Sequence, residues 1–389
     1  MVRPAHRPTK LRAFRTPPVS VPRAGKADYV RTAIRSEEDA LVSRYPFVRT
    51  HANAIAVAIW AASIAVMVAS AAAHYYGALS VWWLLGINAF AASLLHELEH
   101  DLIHSMYFSK LPVMQDVLLT GIWLGKVSMN PWARRKIHLL HHATSGMVDG
   151  VYRAPACTAP PFAPYSHVIL SLADVEERLI GLGLQSLLLR FVVAVFPMAS
   201  GMYIKQLEHD SPSWKLLPKP WWGLARMRSR IDGLLYLGPL LLPLLWRIGG
   251  QQWAYYLWVS LFLPNTWRHA CIVFMSTYCH YYGDIPAHVT YQNQILHHWA
   301  FLPFQVFCCD FGATHIIHHY VVNQTFIVRH LVRHRAWKAM EATGVRVNDL
   351  GLLWRANRWG SDPTAMKPAL ADAVAVPGGK AAAGDSKGE

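Results

Sequence analysis

Long stretches without charged residues alternate with short polar clusters along this chain, and this alternation predicts membrane-crossing helices. Residues 52–73 carry no charged side chain and are followed, after a short link, by a second apolar run at 77–95. A helix needs about 20 apolar residues to cross a bilayer core, so the two runs predict a transmembrane hairpin. Two later runs, 231–248 and 253–280, are separated by four residues and predict a second hairpin.

Two other apolar segments carry charges that make them poor membrane spans. Residues 111–129 are interrupted by Asp116 and Lys126, and residues 179–204 contain Arg190. Such segments are typical of helices that lie in the membrane interface. The pattern therefore predicts an all-α integral membrane protein. It has four transmembrane helices in two hairpins, interfacial helices and a cytosolic cap rich in histidine.

Composition adds orientation and domain limits to this picture. Of the 389 residues, 53% are hydrophobic and only 15% are charged, and the net charge is +14. Because basic residues beside apolar spans mark the cytoplasmic side, we expect both termini there and do not favour nucleic acid as a partner. The predicted divisions are a basic N-terminal segment, a membrane domain, a cytosolic extension and a disordered tail: 1–50, 51–335, 336–360 and 361–389.

Histidines cluster close to the ends of the apolar runs. HELEHDLIH places a histidine at every fourth position, so the three imidazoles share one face of a helix: His96, His100 and His104. KIHLLHH and ATHIIHH then repeat one H-x-x-H-H pattern, which supplies His138, His141 and His142, and His315, His318 and His319. Chance alone is a poor explanation for this arrangement.

The number of histidines indicates more than one metal ion. Imidazole suits iron, zinc, copper and nickel, and one zinc site takes three or four protein ligands. Eight or nine histidines are therefore about right for two ions. Nearby carboxylates can orient the rings by hydrogen bonding or can be ordinary solvated side chains: Glu97, Glu99, Asp101, Asp149 and Asp310.

Two other functions are consistent with part of the pattern. HELEH alone matches the zinc protease motif, with His96 and His100 on zinc, Glu97 as the base and Asp232 as a possible further ligand. That interpretation leaves both H-x-x-H-H patterns unexplained. A metal transporter would place its histidines along a pathway at mid-membrane, whereas these lie at span ends.

The order of the three motifs resembles the histidine boxes of the membrane-bound fatty acid desaturase superfamily. That superfamily includes acyl-lipid and acyl-CoA desaturases and, more distantly, alkane hydroxylases and carotenoid ketolases. The resemblance implies a non-haem di-iron centre and adds the histidine of STYCHYYGD as a ligand. The implied metal ligands are His96, His100, His104, His138, His141, His142, His280, His315, His318 and His319. HELEH and HDLIH both fit the first box and share His100. Beside His100, either His96 or His104 can therefore be the ligand from this box, and the other can lie behind it.

The resemblance further implies an O2-dependent oxidoreductase that acts on a lipid acyl chain, on the cytoplasmic side of the membrane. A fatty acid desaturase is expected; a fatty acid or alkane hydroxylase, or a carotenoid ketolase or hydroxylase, is the alternative. The chain has no cysteine iron–sulfur motif and no dinucleotide-binding glycine loop, so an external ferredoxin, rubredoxin or cytochrome b5 is implied as electron donor. Basic residues that could steer such a partner, or hold anionic lipid headgroups, are Arg134, Arg135, Lys136, Arg329, Arg333 and Arg335.

Overall fold

The computed structural model describes residues 23–127, 131, 132, 134, 135, 138, 142, 238, 241–281 and 288–353. Within these residues the regular structure is helical, and extended segments pair only at two isolated bridges. This agrees with the predicted all-α class. The predicted segments 179–204 and 361–389, half of 231–248, and His141 lie outside the described residues.

Eleven helices have both ends within the described residues, together with a π turn at Trp258–Phe262 and 3-10 turns at Trp299–Phe301 and Leu350–Leu353; residues 241–247 are helical as well. In chain order the helices are α1 (Arg23–Arg44), α2 (Phe47–Thr50), α3 (Ala52–Tyr75), α4 (Val81–Ile103), α5 (Pro112–Lys126), α6 (Gln252–Leu257), α7 (Leu263–Cys279), α8 (Val289–Gln292), α9 (Leu302–Val306), α10 (Phe311–Tyr320) and α11 (Phe326–Ala342).

Two of these helices, α3 and α4, are long and apolar enough to cross a membrane. They correspond to the predicted first hairpin, but α4 runs further than its apolar stretch and carries the first histidine motif in its last two turns. A bent pair, Trp299–Val306 with Phe311–Tyr320, makes an angle of 80° and counts as a third span if both parts cross together.

The second long helical stretch, 252–279, follows the predicted apolar run at 253–280. It consists of α6, the π turn and α7, and the backbone stays helical where these join. The stretch is tied to α4, because the Asn88 side chain donates a hydrogen bond to the Ser260 carbonyl at 2.6 Å. This contact brings the ends of α4 and α7 to the same part of the molecule.

The polar end of the molecule has its own apolar core. Val30 and Ile34 of α1 pack against Ile317 of α10 and against Val332 and Met340 of α11, and all five are buried. Helix α11 continues without a break across the predicted boundary at 335. This packing fixes α10, which carries the third histidine motif, between the membrane helices and the N-terminal helix.

Candidate metal centre

Five histidines from three separate parts of the chain converge in one group. Their ligand nitrogens all lie within 4.8 Å of one another. The members are His100 of α4, His104 at its C-terminal cap, His138 and His142 one helical turn apart, and His318 of α10. We call this set the five-histidine group.

The nitrogens of the five-histidine group face one another directly. Nε2 of His318 lies 3.0 Å from Nε2 of His104 and 2.8 Å from Nε2 of His142, which is itself 2.9 Å from Nε2 of His138. A neutral imidazole has a single N–H, so these contacts cannot all be ordinary hydrogen bonds. A cation between the lone pairs would satisfy them together, which is the expected arrangement around a metal.

His100 adds an unsatisfied nitrogen to this group. Its Nε2 is buried and has no hydrogen-bond partner among the residues that the structure describes, while its Nδ1 lies 3.6 Å from Oδ1 of Asp101. Its ring centroid lies 4.2 Å from that of His318. A buried nitrogen without a partner is costly, so the position of His100 favours a bound ion.

A second group contains three histidines, His280, His315 and His319, whose ligand atoms also lie within 4.8 Å of one another. Nε2 of His315 lies 3.1 Å from Nε2 of His280 and 3.0 Å from Nε2 of His319. The Nδ1–H of His280 donates to the Ser276 carbonyl at 2.6 Å. That bond places the proton of His280 on Nδ1, so Nε2 carries the lone pair that can bind a metal. We call this set the three-histidine group.

Helix α10 contributes to both groups, and this explains its H-x-x-H-H spacing. His315 and His319 are four residues apart and lie almost in line on the helix, whereas His318 is turned to a neighbouring face. The rings of His142 and His319, one from each group, have centroids 4.6 Å apart. The two groups are therefore adjacent, and their imidazoles can hold two metal ions.

His96 is the one predicted ligand in the described residues that stands apart from both groups. Its Nδ1 lies 3.0 Å from the Lys126 ammonium, and its Nε2 lies 3.4 Å from the Arg134 guanidinium. Two neighbouring cations oppose the binding of a metal ion at this ring. The first motif can be aligned as HELEH or as HDLIH. The structure brings together the two histidines of HDLIH, His100 and His104.

The predicted orienting carboxylates divide between two buried charge networks. Glu97 and Asp101 both accept from Arg329, at 3.2 and 3.3 Å. Asp101 also accepts from the Tyr107 hydroxyl at 3.1 Å and from the backbone N–H of Phe326 at 2.8 Å. Burial and the Asp101 carboxylate raise the pKa of Tyr107, so the hydroxyl stays protonated as a donor.

Arg329 therefore differs from its expected role. Its side chain is buried in ion pairs beside the five-histidine group and is not on a surface that an electron donor could reach. Its Nη1 lies 3.5 Å from Nδ1 of His100. Asp310, predicted to orient a ring, instead pairs with Arg333 at 2.8 Å, and Asp149 lies outside the described residues. Arg135 is half-buried and donates to Ser105.

The second network contains Glu99, which accepts from Arg134 at 3.0 Å and forms a closer ion pair with Lys126. Burial lowers the pKa of Lys126 to about 7, although the Glu99 carboxylate favours its charged form. Lys126 was not among the residues predicted for the site. The sequence does indicate a special role for Lys126, because a lysine that interrupts an apolar run needs a buried partner.

Asn293 is a further residue that the motifs did not indicate. It forms an antiparallel bridge with His280, flanked by backbone bonds from Tyr281 N–H to the Gln292 carbonyl and from Gln294 N–H to the Cys279 carbonyl. Directly opposed residues in such a pair have side chains on the same face. Both amide atoms of Asn293 are buried without a partner in the described residues, so a polar group is available beside the three-histidine group.

Comparison of the chain with models of protein families and with curated proteins finds no match. The geometry of the histidine groups is therefore the basis for any functional conclusion.

Proposed function

We propose that this chain is a membrane-bound di-iron oxidoreductase that uses O2 to oxidise a lipid acyl chain, and that it is a fatty acid desaturase. The observation that carries the proposal is the pair of adjacent histidine groups at the ends of apolar helices. Eight imidazoles, six of them buried and two half-buried, are divided five and three and suit two metal ions better than one. Their position beside α4 and the 252–279 stretch suits a substrate that enters from the bilayer.

A bound di-iron centre would supply O2 activation and the removal of hydrogen from an unactivated C–H bond. The chain's own residues would hold and orient it. The Ser276 carbonyl keeps Nε2 of His280 available as a ligand, and Asp101 and Arg329 pack against the other side of His100. Burial of the rings would exclude bulk water from the site. Asn293 would supply an amide oxygen beside the three-histidine group.

The proposed topology has four membrane spans in two hairpins, with the metal centre and both termini on the cytoplasmic side. It is supported by α3, by α4 and by the 252–279 stretch, whose 28 residues would extend about 42 Å as a helix. Electrons would come from an external ferredoxin, rubredoxin or cytochrome b5. A reporter fused after residue 360 is expected to be cytoplasmic, and a reporter on the opposite side would contradict the four-span topology.

The zinc protease is the weaker alternative because its motif needs His96 and His100 on one ion. Here His96 faces Lys126 and Arg134, and eight other histidines are grouped without it. The hydroxylase and ketolase alternatives remain within the same proposal. They differ from a desaturase only in whether a second hydrogen is removed or oxygen is transferred to the chain.

Lipid profiling tests the proposal directly. Cells that express the intact chain, supplied with O2 and a reducing system, are compared with cells that express His318→Ala. A new double bond found only with the intact chain would support a desaturase, and a new hydroxyl or keto group would support the alternative. Iron analysis of the purified protein should give about two ions per chain. Unchanged lipids together with one zinc per chain would contradict the proposal.

A further inference from the structure

A buried cluster of basic side chains, which we call the basic pocket, lies next to the five-histidine group. It is formed by Lys126 of α5, by Arg134 and by Arg268 of α7, around the Glu99 carboxylate of α4. Each of these four side chains belongs to a residue that is at most 5% exposed. Of the three cations, only Lys126 and Arg134 lie within ion-pair distance of the Glu99 carboxylate. The Glu97 carboxylate, which pairs with Arg329, also acts on these two cations.

Arg268 is the unsatisfied member of this basic pocket. Glu99 already binds Lys126 and Arg134, whereas the buried Nε of Arg268 has no hydrogen-bond partner among the described residues. One turn earlier on the same face of α7, the Asn265 amide donates to the Gly125 and Leu261 carbonyls; its buried Oδ1 is an acceptor and does not contribute to anion binding. Buried charge without compensation is strongly unfavourable, so the pocket is suited to an anion that accepts hydrogen bonds.

The position of the pocket relates that anion to the metal centre. Lys126 and Arg134 contact the two nitrogens of His96, and His96 precedes His100 by one turn of α4, a rise of about 6 Å. The pocket therefore lies on the membrane side of the five-histidine group. The neighbouring residues Leu95 and Ile122 are buried and apolar, which favours a ligand whose remaining atoms are hydrocarbon.

We infer that the basic pocket binds the carboxylate of a free fatty acid and that this protein acts on free acids and not on ester-linked acyl chains. The inference rests on the proposed function for the oxidation step, but the binding itself does not require it. Arg268 can donate two parallel hydrogen bonds to a carboxylate. An ester has no negative charge and would leave the cation uncompensated. Arg268 is thus a specificity-determining residue that touches the substrate.

Binding measurements on the purified full-length protein in detergent test this assignment. Radiolabelled palmitic acid and methyl palmitate are the two probes, and each is measured with metal present and after chelation. We expect the acid to bind about tenfold or more tightly than the ester, because a site built for a charged group rejects an analogue without it. Equal binding of acid and ester by the intact chain would overturn the inference without any variant.

Variants of Arg268 locate the binding. Arg268→Gln is expected to weaken the binding of palmitic acid by about tenfold or more. The binding of methyl palmitate and the metal content should stay the same. Arg268→Lys, which keeps the charge, should retain part of the preference and serves if the glutamine variant does not fold. The matched control is Arg335→Gln, on a side chain that is 68% exposed, and it should bind both probes as the intact chain does. An unchanged preference in Arg268→Gln would overturn the assignment.

Three further outcomes separate this inference from its rivals. Displacement of palmitic acid by inorganic phosphate at similar concentration would indicate a phosphate site and overturn the fatty acid assignment. A preference for the acid in a protein that holds no iron would support the pocket and contradict the proposed function. Iron-dependent lipid oxidation without any preference for the acid would support the proposed function and overturn the pocket.

Discussion

The five-histidine group and the three-histidine group are adjacent, yet different interactions hold them in place. The five-histidine group brings together segments far apart in the chain, and buried ion pairs of Arg329 support His100. The three-histidine group depends on backbone contacts. The Ser276 carbonyl orients His280, and at Gly312 helix α10 packs closely against the backbone of Leu296 in the same chain. The first group should therefore be sensitive to charge, and the second to ligand loss and to side-chain size.

Ligand number provides the test with the largest expected effect. His315→Ala leaves the three-histidine group with two imidazoles, whereas His104→Ala leaves the five-histidine group with four. Since four ligands complete a common metal site and two do not, His315→Ala should reduce bound iron from about two ions per chain to about one. His104→Ala should keep both ions and lose about 10–100-fold in metal affinity. Metal analysis after chelator challenge measures both effects, and equal iron loss in the two variants would contradict the comparison.

The charge network of the five-histidine group gives the next largest effect. Arg329→Gln leaves the carboxylates of Glu97 and Asp101 buried without their cation, which should destabilise the fold by about 3–5 kcal/mol. The matched control is Arg335→Gln on the same helix, where the partner is Glu37 and the pair is on the surface. It should change stability by about 1 kcal/mol or less. Denaturant unfolding in detergent compares them, and a similar small loss in both would show that the buried network is dispensable.

Close backbone packing at the three-histidine group gives a smaller effect. A Cβ atom at Gly312 would lie 2.6 Å from the Leu296 carbonyl oxygen and 2.5 Å from the Met275 side chain. The Leu296 backbone cannot easily move away, because its N–H donates a hydrogen bond to the Gly312 carbonyl. Gly312→Ala should therefore cost about 1–3 kcal/mol and disturb α10. At Gly86 a Cβ meets nothing within 4 Å, so Gly86→Ala should be neutral or stabilising by up to about 1 kcal/mol.

Local periodicity explains why much of the site could be predicted from the sequence. Spacings of three and four residues place histidines on neighbouring faces of a helix, so the motifs containing His100, His138 and His318 indicated a shared metal site. The apolar runs likewise predicted α3 and α4. The number of spans beyond these two stays a prediction, because the intervening segments lie outside the described residues.

Contacts between distant segments could not be predicted in the same way. Glu97 and Arg329 are 232 positions apart, and nothing local in the sequence indicates that they pair. The same holds for His96, which matches the motif as well as His104 does but faces two cations supplied by later segments. Burial of a charged residue depends on the packing of the whole chain, so Arg329 was assigned to the surface from sequence.

Asn293 provides the smallest and most discriminating test of how the two groups differ. If its carboxamide serves only the fold, replacing it with leucine removes two buried atoms that have no partner among the described residues, and the metal-free protein should become more stable by about 1 kcal/mol. If the carboxamide also supports the three-histidine group, the same variant should bind its second iron about tenfold more weakly. We expect both results together, measured by unfolding after chelation and by iron titration. Greater stability with unchanged iron affinity would leave His280, His315 and His319 as the ligands that the described residues supply to the three-histidine group.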